Sequence, residues 1–238
     1  MQHPTLVFIH GFMGHPSDWD ELRDGLSELD SVALEVPVTD HWDETVGLLE
    51  DAIPDNSILV GYSMGARLAL ATALNCQKKL AGLVFVSGNP GLESQSERSN
   101  RWLSDQQTAA RIRNEDLEEF LRNWYEQGVF SATALEIREE EIKRKLSRDT
   151  GSWPSVLLAN SVSRQPNLWT RVSALSIPVL AVAGEADEKY TKIAIRLVDE
   201  LRSSQSRAVI IPDCGHIVHR EQQDLLVRGI REFVATIG

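Results

Sequence analysis

A chain of 238 residues with 42% hydrophobic and 25% charged side chains can bury one sizeable core, and this composition excludes disordered, collagen-like and disulfide-scaffold classes. The formal net charge of −11 argues against broad electrostatic binding of nucleic acid or anionic membranes, so an anionic small molecule would have to be met by local arginines. With only Cys76 and Cys214, no basic stretch leading into an apolar core at the N-terminus, and no run near the ~20 apolar residues of a membrane span, the expectation is a reduced, cytoplasmic protein with no membrane partner.

Along the chain, short apolar runs rich in β-branched residues recur at 6–9, 32–36, 58–62, 83–86, 179–183 and 208–211. They are apolar on both parities, which suits strands covered on both faces. Segments with helical periodicity at 19–29, 64–74, 193–201 and 225–237 separate most of them, and this alternation predicts an α/β fold with a mostly parallel, doubly wound sheet. The alternation stops between about 93 and 170, where the pattern reads as amphipathic helices at 96–112, 117–125, 133–146 and 154–162. One domain is therefore expected from 1–92 and 171–238, with 93–170 inserted as a helical cap. The insertion carries 11 of the 24 basic residues, together with Trp102, Trp124, Trp153 and Trp169. Solvated helix faces and core aromatics account for most residues of these kinds, and an anion-binding lid is the sharper reading.

Gly61-Tyr62-Ser63-Met64-Gly65 directly follows one strand and directly precedes one helix. A sharp strand-to-helix turn needs small neighbours and lifts a hydroxyl clear of the sheet, so this context marks Ser63 as a nucleophile or base. A serine needs a histidine to accept its proton and an acid to orient that histidine. His216, in Asp213-Cys214-Gly215-His216 after the last strand, is preferred over His219 because Gly215 frees the turn. His10 reads as structural. Asp187, in Gly184-Glu185-Ala186-Asp187 after the fifth strand, is preferred over Glu185 and Glu188, and Ser63, Asp187, His216 is the chain order of α/β-hydrolases. That architecture takes its oxyanion-hole amides from the residue after the nucleophile and from the loop after the first strand, here Met64 and Phe12. No metal-ligand spacing surrounds the cysteines and no phosphate-binding glycine loop follows a strand, so no metal or cofactor is expected.

His10-Gly11-Phe12, the Gly61–Gly65 pentapeptide, Gly184 to Asp187 and Gly215-His216 together resemble the α/β-hydrolase superfamily over almost the whole chain. A narrower set is similar to the 2-succinyl-6-hydroxy-2,4-cyclohexadiene-1-carboxylate synthases of menaquinone biosynthesis. It comprises Gly-Tyr-Ser-Met-Gly-Ala-Arg, Asn89-Pro90-Gly91-Leu92, Glu97-Arg98-Ser99-Asn100-Arg101-Trp102, Trp124-Tyr125, Val129-Phe130-Ser131, Gln165-Pro166, and Gly215-His216 with His219-Arg220-Glu221. The resemblance implies a carbon–oxygen lyase on a hydrolase fold, eliminating pyruvate from a cyclohexene tricarboxylate, with Ser63 as base and no acyl-enzyme. It also implies substrate-binding roles for Tyr62, Arg67, Arg101, Trp124 and Tyr125, with Arg98 the alternative to Arg101. A further cation from the cap is assigned to Arg148, with Lys145 the alternative. Where relatives carry Asp-Leu-Pro-Gly-His-Gly, this chain reads Glu35-Val36-Pro37-Val38-Thr39-Asp40-His41, and Asn89 stands where a histidine is usual. A carboxylesterase or thioesterase, which acts through an acyl-enzyme, needs the same three side chains but has no use for converging arginines.

Overall fold

The computed structural model describes residues 3–237. Six strands, β1 (Thr5–Ile9), β2 (Ser31–Leu34), β3 (Ser57–Tyr62), β4 (Leu80–Val86), β5 (Val179–Gly184) and β6 (Arg207–Ile211), form one sheet in the order β2-β1-β3-β4-β5-β6. Every pairing is parallel. Alternate side chains leave opposite faces, so both parities of each central strand are apolar. Val7, Ile9, Leu59, Leu83, Phe85, Val179 and Ala181 belong to one core cluster, whereas Leu6, Phe8, Ile58, Val60, Val84, Leu180 and Val182 belong to the other.

Among the described residues, ten helices complete the fold: α1 (Asp20–Asp24), α2 (Trp42–Ala52), α3 (Met64–Cys76), α4 (Gln95–Asn114), α5 (Leu117–Tyr125), α6 (Leu135–Leu146), α7 (Trp153–Ala159), α8 (Glu188–Glu200), α9 (Val218–Glu221) and α10 (Gln223–Ile237). Helices α2, α3 and α8 supply the first cluster, and α1 and α10 supply the second. The helix expected over 19–29 is shorter than its periodicity suggested: α1 ends at Asp24, and Leu26 and Leu29 continue in tight turns whose amides bond to Arg23 and Leu26 carbonyls. Gly25, a weak helix former, sits at that break, while the buried leucines keep the inward face. Helix α2 was not among the expected segments. It buries Trp42, Thr45, Val46 and Leu49.

Between β4 and β5 the chain forms α4 to α7 and no strand. This segment builds a third cluster from Phe120, Leu121, Tyr125, Phe130, Ile142 and Trp153, closed from the sheet side by Met13 and Ile217. It lies over the carboxyl ends of the strands, because Met13 follows β1 and Ile217 follows β6.

Candidate active site

The turn from β3 into α3 brings Ser63 to the surface of the sheet. Its backbone is held at φ 53°, ψ −109°, in the left-handed region, which costs a non-glycine residue about 1–3 kcal/mol and persists only where the surroundings enforce it. They do so by crowding: a Cβ on Gly65 would lie 2.1 Å from the Ile9 carbonyl oxygen, and one on Gly61 would lie 2.4 Å from the Gly65 carbonyl oxygen. The Ser63 amide donates to the Val86 carbonyl at 2.9 Å, pinning the turn to β4.

His216 and Asp187 arrive from the loops after β6 and β5. Nδ1 of His216 lies 2.7 Å from Asp187 Oδ2, and Nε2 lies 3.4 Å from Ser63 Oγ. Both partners of the shorter contact are buried. The loops are tied together by amides of Glu185 and Ala186, which donate to the carbonyls of Ile211 and Cys214. Glu185 and Glu188 are exposed, and Glu188 pairs with Lys192. The freedom expected of Gly215 is used differently: Asp213 adopts the left-handed conformation, at φ 50°. Gly215 instead allows close approach: a Cβ there would lie 3.1 Å from Glu221 Oε2, so the carboxylate would have to shift by a few tenths of an ångström. His219 stands beyond Tyr62, its ring 4.5 Å from the tyrosine ring and 5.0 Å from Trp19. Burial drives its pKa down to about 4, so the ring is neutral. His10 Nε2 accepts from the Val36 amide, fixing the β1 loop to the chain after β2.

Two cavities meet at Ser63, with Phe12 and Trp124 in the wall of each. Their rings pack edge-on, 5.5 Å apart. The larger cavity, about 370 Å³, is also lined by Met64, Arg67, Ser87, Asn100, Arg101, Lys189 and Tyr190. Arg67 is buried, donates to Gln165 Oε1 and the Asn160 carbonyl at 2.7 Å each, and lies over the Trp42 ring. All these partners are neutral. Burial, reinforced by Arg101, pushes its pKa down to about 9, so the guanidinium carries a charge for which the described residues supply no bonded counterion. Burial and Arg101 also lower the pKa of Lys189. Arg101 bonds through Nε to the buried Asp105, which leaves its side chain 41% exposed. Glu97, the acid on this wall, is engaged by the Ser94 amide and hydroxyl.

The smaller cavity, about 60 Å³, is lined by Tyr62, Tyr125, Phe130, Glu141, Lys145, His216 and His219 among others. Lys145 Nζ lies 2.8 Å from Glu141 Oε2, with both side chains buried.

The structure thus brings Ser63, Asp187, His216, Phe12, Met64, Tyr62, Arg67, Arg101, Trp124 and Tyr125 to one place. Arg148 is elsewhere. It pairs with Asp18 through both terminal nitrogens, donates to the Met13 carbonyl, and lines neither cavity, whereas Lys145 lines the smaller one. Lys145 lies in the last turn of α6 and is held by Glu141 at the cavity wall, whereas Arg148 lies beyond the end of the helix and is drawn to Asp18. Arg98 bonds to the Gln165 and Leu92 carbonyls and also lines neither cavity. The lid of cations is correspondingly sparse: Arg111, Arg122 and Arg144 pair with glutamates on the surface. Sequence reasoning missed Lys189 and Ser87. Lys189 carried a readable signal, two residues after Asp187 at a strand's carboxyl end, whereas Ser87 owes its place to a left-handed backbone, φ 48°, that no composition reveals. Among the described residues, no group of three or more His, Cys, Asp or Glu is placed to hold a metal, and no helix is long and apolar enough to cross a membrane.

A strained serine at a strand-to-helix turn, with an aspartate and a histidine from the ends of the last two strands, defines a class. The chain belongs to the α/β-hydrolase family, whose family model matches residues 6–228. More particularly, it is 31% identical over 230 residues to the 2-succinyl-6-hydroxy-2,4-cyclohexadiene-1-carboxylate synthase of Escherichia fergusonii, covering 92% of this chain and 88% of that protein. The synthase of the same name from Escherichia coli strain SMS-3-5 is 32% identical over the same shares. Among solved structures, MenH from S. aureus superposes with a TM-score of 0.90 at 24% identity, covering 100% of this chain and 95% of that one. A thermophilic esterase from Thermogutta terrifontis follows at 0.79 and 21%, covering 99% and 91%, so the fold by itself is compatible with more than one chemistry.

Proposed function

We propose that the protein is a lyase of menaquinone biosynthesis that eliminates pyruvate from 2-succinyl-5-enolpyruvyl-6-hydroxy-3-cyclohexene-1-carboxylate, yielding 2-succinyl-6-hydroxy-2,4-cyclohexadiene-1-carboxylate. The observation that carries it is Arg67: a buried guanidinium on the wall of the Ser63 cavity, bonded only to neutral groups among the described residues and flanked by Arg101 and Lys189. Such a cavity is incomplete without an anion, and a tricarboxylate supplies one. A site for neutral esters would leave the Arg67 charge without a bonded counterion among the described residues.

Ser63 Oγ, in contact with His216 Nε2, removes the proton α to the succinyl ketone. His216 takes up the hydroxyl proton, and Asp187 stabilises the imidazolium through Nδ1. The enolate oxygen is received by the amides of Phe12 and Met64, each contributing about 3 kcal/mol when well placed. The electron pair moves through the ring alkene and breaks the ring bond to the enolpyruvyl oxygen, which takes the proton from the His216 imidazolium and leaves as enolpyruvate, and this enol tautomerises to pyruvate. Serine returns to its starting state without an acyl-enzyme. Arg67, Arg101, Tyr62, Trp124 and Tyr125 hold the substrate, Lys145 rather than Arg148 supplies the further cation, and the helices of 93–170 form the cap over it.

The test is a coupled assay for pyruvate with the cyclohexene tricarboxylate. Stoichiometric release is expected, with Ser63→Ala lowering kcat about a thousandfold or more. Negligible pyruvate alongside brisk hydrolysis of neutral esters would overturn the lyase reading in favour of an esterase.

A further inference from the structure

Glu221 is used by no step above, yet its carboxylate grips the backbone on both sides of His216. The Gly215 amide donates to Oε2 at 2.7 Å and the Ile217 amide to Oε1 at 2.9 Å. The Thr133 hydroxyl, from the turn before α6, donates to Oε1 at 2.8 Å. Hydrogen bonds to a charged acceptor are about twice as strong as neutral ones, and here two of them fix the peptide units flanking the imidazole to one planar group. The imidazole itself meets Ser63 at 3.4 Å, near the outer limit of a hydrogen bond, so a loop displacement of a few tenths of an ångström breaks the contact.

We infer that Glu221 is a positioning residue, whose carboxylate clamps the amides of Gly215 and Ile217 and thereby sets the His216 ring against Ser63. This rests on the reading that Ser63 and His216 act together, and it holds whichever substrate they serve. Thr133 donates to an oxygen already held by Ile217, so the two amide bonds, rather than the tie to the helical segment, do the positioning.

The experiment compares wild type, Glu221→Gln and Thr133→Val by two readouts. One is pyruvate release. The other is the rate at which an alkyl fluorophosphonate labels Ser63, in which the serine oxygen bonds to phosphorus, its proton passes to His216 and fluoride leaves. In Glu221→Gln an amide group replaces one accepting oxygen, so one backbone N–H faces another donor. Labelling and kcat are expected to fall together by about tenfold or more, with KM within about twofold of wild type. Thr133→Val, which keeps both amide bonds, is expected to label within about twofold of wild type. A wild-type labelling rate in folded Glu221→Gln overturns the inference, as does an equal loss in Thr133→Val. Should circular dichroism show Glu221→Gln unfolded, Glu221→Asp carries the test: it keeps the charge and shortens the reach, and a labelling rate less than about threefold below wild type overturns the inference. If wild type labels at Ser63 but releases no pyruvate, the lyase reading fails while the comparison of variants still decides the role of Glu221.

Discussion

Arg67 and Arg101 line one wall of the larger cavity but are held in different ways, and their substitutions should differ accordingly. Arg101 is anchored by Nε to Asp105 and is partly exposed, so removing it takes away a contact without opening the core. Arg101→Ala is expected to raise KM for the tricarboxylate about tenfold, read from initial rates of pyruvate release, and to lower the thermal midpoint as well, because the buried Asp105 carboxylate loses its cationic partner. His219 makes a separate prediction, about stability. Burial lowers its pKa to about 4, against the pull of Glu141 and Asp18 toward the charged form. The unfolded chain, with a histidine near its ordinary 6.5, therefore binds more protons than the fold between those two values. Its neutral state costs the fold nothing above pH 6.5, and stability is lost as pH falls toward 4, about 2 kcal/mol by pH 5. His219→Gln should flatten the difference between urea unfolding curves at pH 7.5 and pH 5 by that amount. Equal pH dependence in the two proteins would exclude His219 as its source.

At the scale of elements, the β3–α3 turn and the start of α4 illustrate two ways in which local sequence decides geometry. Gly65 packs against the β1 carbonyls so closely that any side chain must push backbone aside, since its first carbon would stand only 2.1 Å from the Ile9 oxygen. Gly65→Ala is expected to cost about 2–3 kcal/mol in urea denaturation and to reduce turnover by displacing Ser63. Helix α4 begins with a capping box, in which the Glu97 amide donates to Ser94 Oγ and the Ser94 amide to Glu97 Oε2. Ser94→Ala should cost about 1 kcal/mol by the same measurement. Because Glu97 then loses its hydroxyl partner beside the larger cavity, KM should rise as well.

Over the whole molecule, the helical segment between β4 and β5 is bound into the frame rather than resting on it. Val156, Leu168 and Trp169 share a core cluster with Val7, Leu59 and Phe85 of the sheet, and Arg67 of α3 bonds to Asn160 and Gln165. Unfolding the segment alone would expose that apolar surface and strand a buried guanidinium. Far-ultraviolet circular dichroism and tryptophan fluorescence should therefore report one coincident transition in urea. Two separated transitions would show the segment to be an independent unit.

The alternation of two-sided apolar runs with helical periods determined the sheet, and all six strands lie where the runs placed them, because hydrophobic patterning acts locally and survives in the linear code. The chain order of Ser63, Asp187 and His216 was legible for a related reason: each follows a strand, and the carboxyl ends of parallel strands converge on one edge. Tertiary structure decided the rest. That Lys145 rather than Arg148 lines a cavity at Ser63, that Lys189 joins Arg67, and that Glu221 reaches back over His216 all depend on distances between segments far apart in the chain or on the direction of one side chain. A sequence specifies which residues can bond. Which of several equivalent cations faces the cavity is settled by packing, because only the folded neighbours fix where each side chain finds its bonding partners.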